Sequence, residues 1–329
     1  MKISNVTGMS FSAKVKDELS KQWNEYRHCQ IAEIAAIVSM CGNIKIDSRE
    51  RYSIKIQTEN VSVARKYFTL VEKTFNIEND VLVARNPIRK NVSYTVSIKN
   101  HDSAILLLKE TQLMDDRGEI KEEISVEKNE IVRRTCCKRA FLRGAFLANG
   151  SMSNPEKAYH FEIVCLSRAK ASQIKYLINS FGLDSKIIVR KKTYVVYLKE
   201  GSQIVDLLNI MGAPVSLMEM ENIRILKEMR NSVNRKVNCE TANINKTVSA
   251  AVKQVQDIVY IRDSIGLHGL SEGLEEIARL RLEYPEANLK ELGELLEEPV
   301  GKSGVNHRLR KISEIAESLR KKGRTQSND

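Results

Sequence analysis

The chain has 329 residues, enough for two or three domains with sizeable cores. Its hydrophobic (42%) and charged (29%) fractions fit a soluble globular protein, and Lys+Arg outnumber Asp+Glu by 53 to 42, a net charge of +11 that favours a polyanionic partner. No apolar run has the length of a membrane span, and the polar start Met1-Lys2-Ile3-Ser4 is no signal peptide. Cysteines at 29, 41, 136, 137, 165 and 239 form no CxxC pair. Neither a disulfide framework nor a metal centre is expected, and a reduced, cytoplasmic compartment is.

In chain order, residues 10–27 read as a surface helix, with Phe11, Val15, Leu19 and Trp23 at i+4 steps. Residues 30–42 read as a more buried helix ending at Gly42. Ile44, Ile46, Tyr52, Ile54 and Ile56 then share one parity and Lys45, Asp47, Arg49, Arg51, Lys55 and Gln57 the other, which predicts a hairpin with one face on a core. A helix (60–76), a strand (80–84), a turn at Asn86-Pro87, a strand (92–98) and a helix (102–113) follow. After the polar segment 114–130 the order repeats: helix 131–149, strand 158–166, helix 168–181, strands 186–199, helix 202–211. Tyr94-Thr-Val-Ser-Ile98 answers Tyr194-Val-Val-Tyr-Leu198, and Phe75 answers Phe181. Repetition over this length indicates a duplicated domain.

The two helices that end in glycine, Ile34-Ala-Ala-Ile-Val-Ser-Met-Cys-Gly42 and Leu142-Arg-Gly-Ala-Phe-Leu-Ala-Asn-Gly150, resemble the signature helices of the LAGLIDADG homing endonucleases. That resemblance implies two αββαββα halves whose helices pack side by side at a pseudo-two-fold axis. Small residues would permit the close approach: Ala35 and Ala36 on one helix, Gly144, Ala145 and Ala148 on the other. In that family carboxylates before the final glycine hold the divalent metal. Here those positions are Cys41 and Asn149, and a thiol with a neutral amide cannot replace two hard anionic ligands. Glu33 and Asp47 are too distant to compensate. The fold is expected to persist and the nuclease chemistry to be lost, with no catalytic residue, metal or cofactor.

A helix is read over 214–229. Residues 230–246 carry five asparagines and four basic residues with little apolar content, and read as an Asn-rich basic hinge. Helices are expected at 246–264 and 271–283. Asn288-Leu-Lys-Glu-Leu-Gly-Glu-Leu-Leu296 forms a short helix with Asn288 as N-cap and Glu291 at the capping-box position. Glu297 to Lys302 is a turn, and a basic helix follows from an N-cap at Ser303. Val305, Leu309, Ile312, Ala316 and Leu319 make its buried stripe, packed against Leu292, Leu295 and Leu296. Helix, tight turn and basic helix make a helix-turn-helix over 288–320, whose second helix would enter the major groove. Arg310, Asn306 and Ser303 are candidates for base edges; Arg308, Lys311, Lys302 and His307 for phosphates. Arg235, Lys236, Lys246, Arg320, Lys321 and Lys322 are possible auxiliary contacts.

The stretches Phe141-Leu-Arg-Gly-Ala-Phe-Leu, Asn234-Arg-Lys-Val-Asn-Cys-Glu-Thr-Ala-Asn243 and Lys302-Ser-Gly-Val-Asn-His-Arg-Leu-Arg-Lys311 resemble the WhiA family of bacterial DNA-binding proteins. The fold class expected is α+β, a duplicated LAGLIDADG-like domain followed by an all-α helix-turn-helix domain. Its parts are an extension (1–8), the duplicated domain (9–229, halves 9–113 and 131–229), the hinge (230–246), the helical domain (247–324) and a polar tail (325–329). The resemblance implies a start near Met9 and a nucleoid-associated regulator of transcription that binds duplex DNA at promoters. It also implies links to sporulation in some relatives and to cell division and chromosome segregation in others. The alternatives are a metal-dependent homing-type endonuclease and a protein-interaction module recruited to the chromosome, whose protein partner would meet the LAGLIDADG-like domain. No membrane partner is expected.

Overall fold

The computed structural model describes residues 9–85, 92–121 and 130–326, with side chains through Lys322. The turn expected at Asn86-Pro87 and the extension 1–8 lie outside the described residues. So do 122–129 of the connecting segment and 327–329 of the tail. The chain divides into two compact units, Met1–Lys227 and Glu228–Asp329.

The first unit is an αββαββα plan used twice. After a leading helix α1 (Phe11–Lys21), the first copy runs α2 (Arg27–Cys41), β1 (Gly42–Ile46), β2 (Tyr52–Thr58), α3 (Val61–Phe75), β3 (Asp80–Arg85), β4 (Val92–Ile98) and α4 (His101–Glu110). The second runs α5 (Thr135–Asn149), β5 (Gly150–Met152), β6 (Phe161–Cys165), α6 (Arg168–Asn179), β7 (Lys186–Arg190), β8 (Thr193–Leu198) and α7 (Gly201–Met211). Each copy builds an antiparallel sheet of the same order, β1-β2-β4-β3 and β5-β6-β8-β7. Register follows from burying one parity. Ile54 pairs with Ile98 and Ile56 with Val96 in one sheet, and Phe161 with Leu198 and Ile163 with Val196 in the other, all with buried side chains. The apolar parity of β1 runs out at the sheet edge, where Ile46 is exposed.

Helix α1 is shorter than the period suggests. Gln22 is extended, so Trp23 leaves the Phe11-Val15-Leu19 stripe and is half exposed. Its ring instead takes the ammonium groups of Lys66 and Lys73, 5.1 and 5.0 Å from the centroid, a cation–π use of an aromatic that periodicity cannot foresee.

The small residues expected between α2 and α5 do meet there. A Cβ on Gly144 would stand 2.5 Å from the Glu33 carbonyl oxygen and 2.9 Å from the Ala36 Cβ, so only glycine lets the backbones approach. Glu33 lies in this interface without solvent access. Arg143 Nε is 3.4 Å and Lys66 Nζ 3.6 Å from its oxygens, and Asn24 Nδ2 donates to it at 2.8 Å.

The boundary between the units falls inside α8 (Pro214–Ile265), which is continuous. The break expected at 230–246 is therefore corrected: the backbone there is helical. Every residue from 228 to 250 is exposed, so this stretch covers none of the chain's own core, although Val233, Val237, Ile244 and Val248 keep helical spacing along it. Asparagine is a poor helix former but not a breaker, and no Gly or Pro interrupts the segment. A short 3-10 turn, α9 (Glu272–Glu283), α10 (Leu289–Glu294) and α11 (Lys302–Gln326) complete the second unit. Among the described residues no helix is long and apolar enough to cross a membrane.

Candidate nucleic-acid interface

The second unit has its own core. Ile258 and Ile261 of α8, Leu274, Ile277 and Ala278 of α9, Leu292 and Leu296 by α10, and Val305, Leu309, Ile312 and Ala316 of α11 are buried together. Leu295, expected among them, is 47% exposed. The capping box at α10 forms as the sequence indicates: Asn288 Oδ1 accepts from the Lys290 and Glu291 amides, and Glu291 accepts from the Asn288 amide at 2.8 Å. Gly293 makes the following turn possible. The Val300 amide donates to Gly293 O at 3.1 Å, and a Cβ on Gly293 would meet Val300 O at 2.2 Å.

Helix α11 starts two residues before expectation, capped at Gly301 instead of Ser303. Gly301 O accepts from the Gly304 and Val305 amides, so Ser303 sits in the first turn instead of capping it. With Val305, Leu309 and Ile312 held inward, the opposite face carries Ser303, Asn306, His307 and Arg310 at i, i+3, i+4 and i+7, with Lys302 and Lys311 beside them; all six are exposed. Arg310 Nε lies 3.3 Å from Glu314 Oε1, an exposed pair that another anion can replace at little cost. Lys302 and Asn306 also line a cleft of about 510 Å³ with Lys246, Arg281, Asn288 and Lys290. The expected auxiliary cation Lys246 thus shares a cleft with two residues of the exposed face of α11. Arg235 and Lys236 are exposed farther back on α8, and Lys321 and Lys322 are exposed near the end of α11.

Two of the expected contacts face inward. Arg308 is half-buried, with Nη1 donating to Gly273 O at 3.5 Å and lying 4.0 Å from Glu276 Oε2, which braces α11 on α9. Arg320 Nη1 is 2.7 Å from Oδ1 of the buried Asp257, and its guanidinium lies 4.8 Å from the Tyr260 ring centroid. Arg320→Ala should therefore destabilise the second unit by about 1–3 kcal/mol, because a buried carboxylate loses its partner. The salt dependence of DNA binding should stay as in wild type; a flatter slope with unchanged melting would restore Arg320 to the phosphate set. Arg281 was not anticipated. It is buried in α9, and its Nη1 donates to Ala287 O at 2.6 Å, tying down the loop that leads into α10.

At the helix ends where LAGLIDADG enzymes hold metal, the Cys41 thiol donates to Ile37 O at 3.2 Å. Asn149 Nδ2 donates to Met40 O at 2.8 Å and Val164 O at 3.3 Å. Both side chains are occupied with nearby backbone carbonyls. Burial pushes the Cys41 thiol up to about 11, so it is neutral near pH 7. The neighbouring cation is Lys16, itself pushed down to about 8 by burial. A neutral thiol, a neutral amide and an ammonium do not make a site for a divalent cation. Glu33 belongs to the internal node with Arg143 and Lys66.

Three family descriptions match in succession: the WhiA N-terminal LAGLIDADG-like domain over residues 27–114, the WhiA LAGLIDADG-like domain over 138–230 and the WhiA C-terminal HTH domain over 233–316. A protein of Lachnoclostridium phytofermentans named probable cell division protein WhiA is 57% identical over 312 residues, covering 95% of this chain and all of its own. Its namesake in Alkaliphilus oremlandii is 49% identical, covering 94% and 98%. The crystal structure of full-length WhiA from Thermatoga maritima superposes with a TM-score of 0.58 at 25% identity, covering 94% and 99%.

Proposed function

The chain belongs to the WhiA family, and from that premise we propose that it is a non-enzymatic, sequence-specific duplex-DNA-binding protein that regulates transcription. Its setting is the nucleoid of the cytoplasm, and its targets serve chromosome segregation and cell division, the last in keeping with the name its relatives carry. One observation carries the reading: a helix held by its apolar stripe in a helix-turn-helix core presents Ser303, Asn306, His307 and Arg310 outward on one face. Arg310 suits guanine and Asn306 adenine, each through paired hydrogen bonds in the major groove. Lys302, Lys311 and Lys246 supply phosphate contacts that set register without reading sequence.

A gel-shift titration of full-length protein on a bound promoter fragment tests this. Arg310→Ala should weaken binding by about 1–3 kcal/mol and relax specificity, whereas Lys311→Ala should weaken all sequences alike and lower the salt slope by about one. Normal promoter binding by Arg310→Ala would remove α11 from the reading role. For the non-enzymatic part, purified protein with Mg²⁺ should leave duplex DNA uncut. Turnover that Asn149→Ala abolishes would overturn it.

A second reading gives the LAGLIDADG-like repeat a protein partner. Its outer strands expose apolar residues, Val81, Leu82 and Val83 on β3 and Ile188 and Val189 on β7, and such edges invite an added strand. On this reading residues 230–329 and the full chain bind the promoter equally well; a large gain in the full chain would place the repeat on DNA.

A further inference from the structure

Four side chains with soft donor atoms meet where α2 and α5 begin. His28 and Cys29 are the second and third residues of α2, and Cys136 and Cys137 the second and third of α5. The offset that sets Cys136 opposite His28 also sets Asn149 opposite Cys41, so equivalent positions of the two copies each contribute a pair. An imidazole nitrogen of His28 and the three Sγ atoms all lie within 4.8 Å of one another. Nδ1 is 3.3 Å from Cys29 Sγ and 3.2 Å from Cys137 Sγ.

We propose that His28, Cys29, Cys136 and Cys137 form a closed tetrahedral site for Zn²⁺ that fastens the amino-terminal ends of the two central helices to each other. Tetrahedral zinc with Zn–S of ~2.3 Å and Zn–N of ~2.0 Å sets its ligand atoms roughly 3.5–3.8 Å apart, so small side-chain adjustments close the shell. Three sulfurs and one imidazole select a soft or borderline ion over Mg²⁺ or Ca²⁺, and four protein ligands leave no open position for chemistry. Cys29 and Cys137 are buried, while the exposed Cys136 gives an ion its entry. The Tyr26 ring stacks on His28 with centroids 5.5 Å apart and holds the imidazole in orientation.

Loading releases three thiol protons and changes no oxidation state, leaving a net charge of −1 on the metal and its ligands. Arg134, with Nη1 3.2 Å from His28 Nε2, is at hand to offset that charge. Metal on Nδ1 leaves the imidazole proton on Nε2, so the exposed guanidinium turns away from that nitrogen and towards the sulfurs. The site lies at the opposite end of α2 from Cys41, about 18 Å along the axis at 1.5 Å per residue. It is therefore distinct from the position where LAGLIDADG enzymes hold their metal. No CxxC pattern announces it, because neighbours on one helix diverge by about 100° and neither pair chelates without the other helix.

The test is zinc content of the full-length protein, purified under reducing conditions, equilibrated with Zn²⁺ and freed of excess by gel filtration. About one zinc per chain is expected, and Co²⁺ in its place should give thiolate-to-cobalt charge transfer and the intense visible bands of tetrahedral coordination. Cys136→Ser, at an exposed position, should lose most of the zinc to a competing chelator while keeping the wild-type circular dichroism. Cys239→Ser, at an exposed cysteine of the second unit, should retain it. Two results would overturn the proposal: wild type holding no more zinc than Cys136→Ser, or a disulfide among Cys29, Cys136 and Cys137 in protein alkylated before lysis.

Discussion

Glu33→Ala is expected to lower the unfolding free energy of the first unit by about 3–5 kcal/mol, the cost of removing one partner from a buried ionic cluster. The carboxylate has no solvent access and sits between two cations that are themselves almost wholly enclosed, Lys66 and Arg143. Burial pushes the Glu33 carboxyl up, and the charges of Arg143 and Lys66 pull it back. Without the carboxylate both cations stay in the interior with no counter-charge. Asn24 also loses its acceptor, while its own oxygen still receives Arg143 Nη2 at 3.1 Å. Glu33→Gln keeps the volume and the acceptor and should cost less. Urea unfolding followed by circular dichroism measures both, and a loss below about 1 kcal/mol for the alanine variant would show that the cluster is reached by water.

Leu309→Ala should destabilise the second unit by about 2–5 kcal/mol, the usual range for emptying a core leucine site. Leu309 is 1% exposed and packs in a cluster of a dozen buried residues, so that loss is a large share of what so small a core supplies. Promoter binding should fall with it, and amide exchange should speed up in α9 to α11 while remaining slow in α2 and α5. The pattern differs from that of Arg310→Ala, which should leave melting unchanged and impair binding alone. Equal effects of both variants on stability would mean that Arg310 is structural. Leu309→Ala with normal exchange and normal binding would contradict the core assignment.

What the sequence discloses is what burial imposes on it. Ile54 and Ile56 alternate because one sheet face is dry, and Tyr94 to Ile98 matches Tyr194 to Leu198 because both occupy the second inner strand of equivalent sheets. Asn288 and Glu291 mark their helix start by local hydrogen bonding alone. Helix 228–250 was misread for another reason: its five asparagines suggest a break, and the helical spacing of Val233, Val237, Ile244 and Val248 carries no burial to enforce it. Polar side chains committed to tertiary partners were the other blind spot. Arg308 and Arg320 carry the same composition signal as Arg310, and only the fold distinguishes the guanidiniums held by Glu276 and Asp257 from the one facing solvent. Glu33 and the Cys/His cluster likewise exist only once α2 and α5 are side by side. That the Cys41 thiol and the Asn149 amide both donate to backbone carbonyls was not readable either.

The central claim is that α11 reads DNA sequence, and selection from a random duplex pool by the full-length protein tests it most directly. The account predicts one enriched motif for the wild type, with preference relaxed at a single position in Arg310→Ala and the motif intact but weaker in Lys311→Ala. No enriched motif, or the same motif at the same strength in Arg310→Ala, would contradict it.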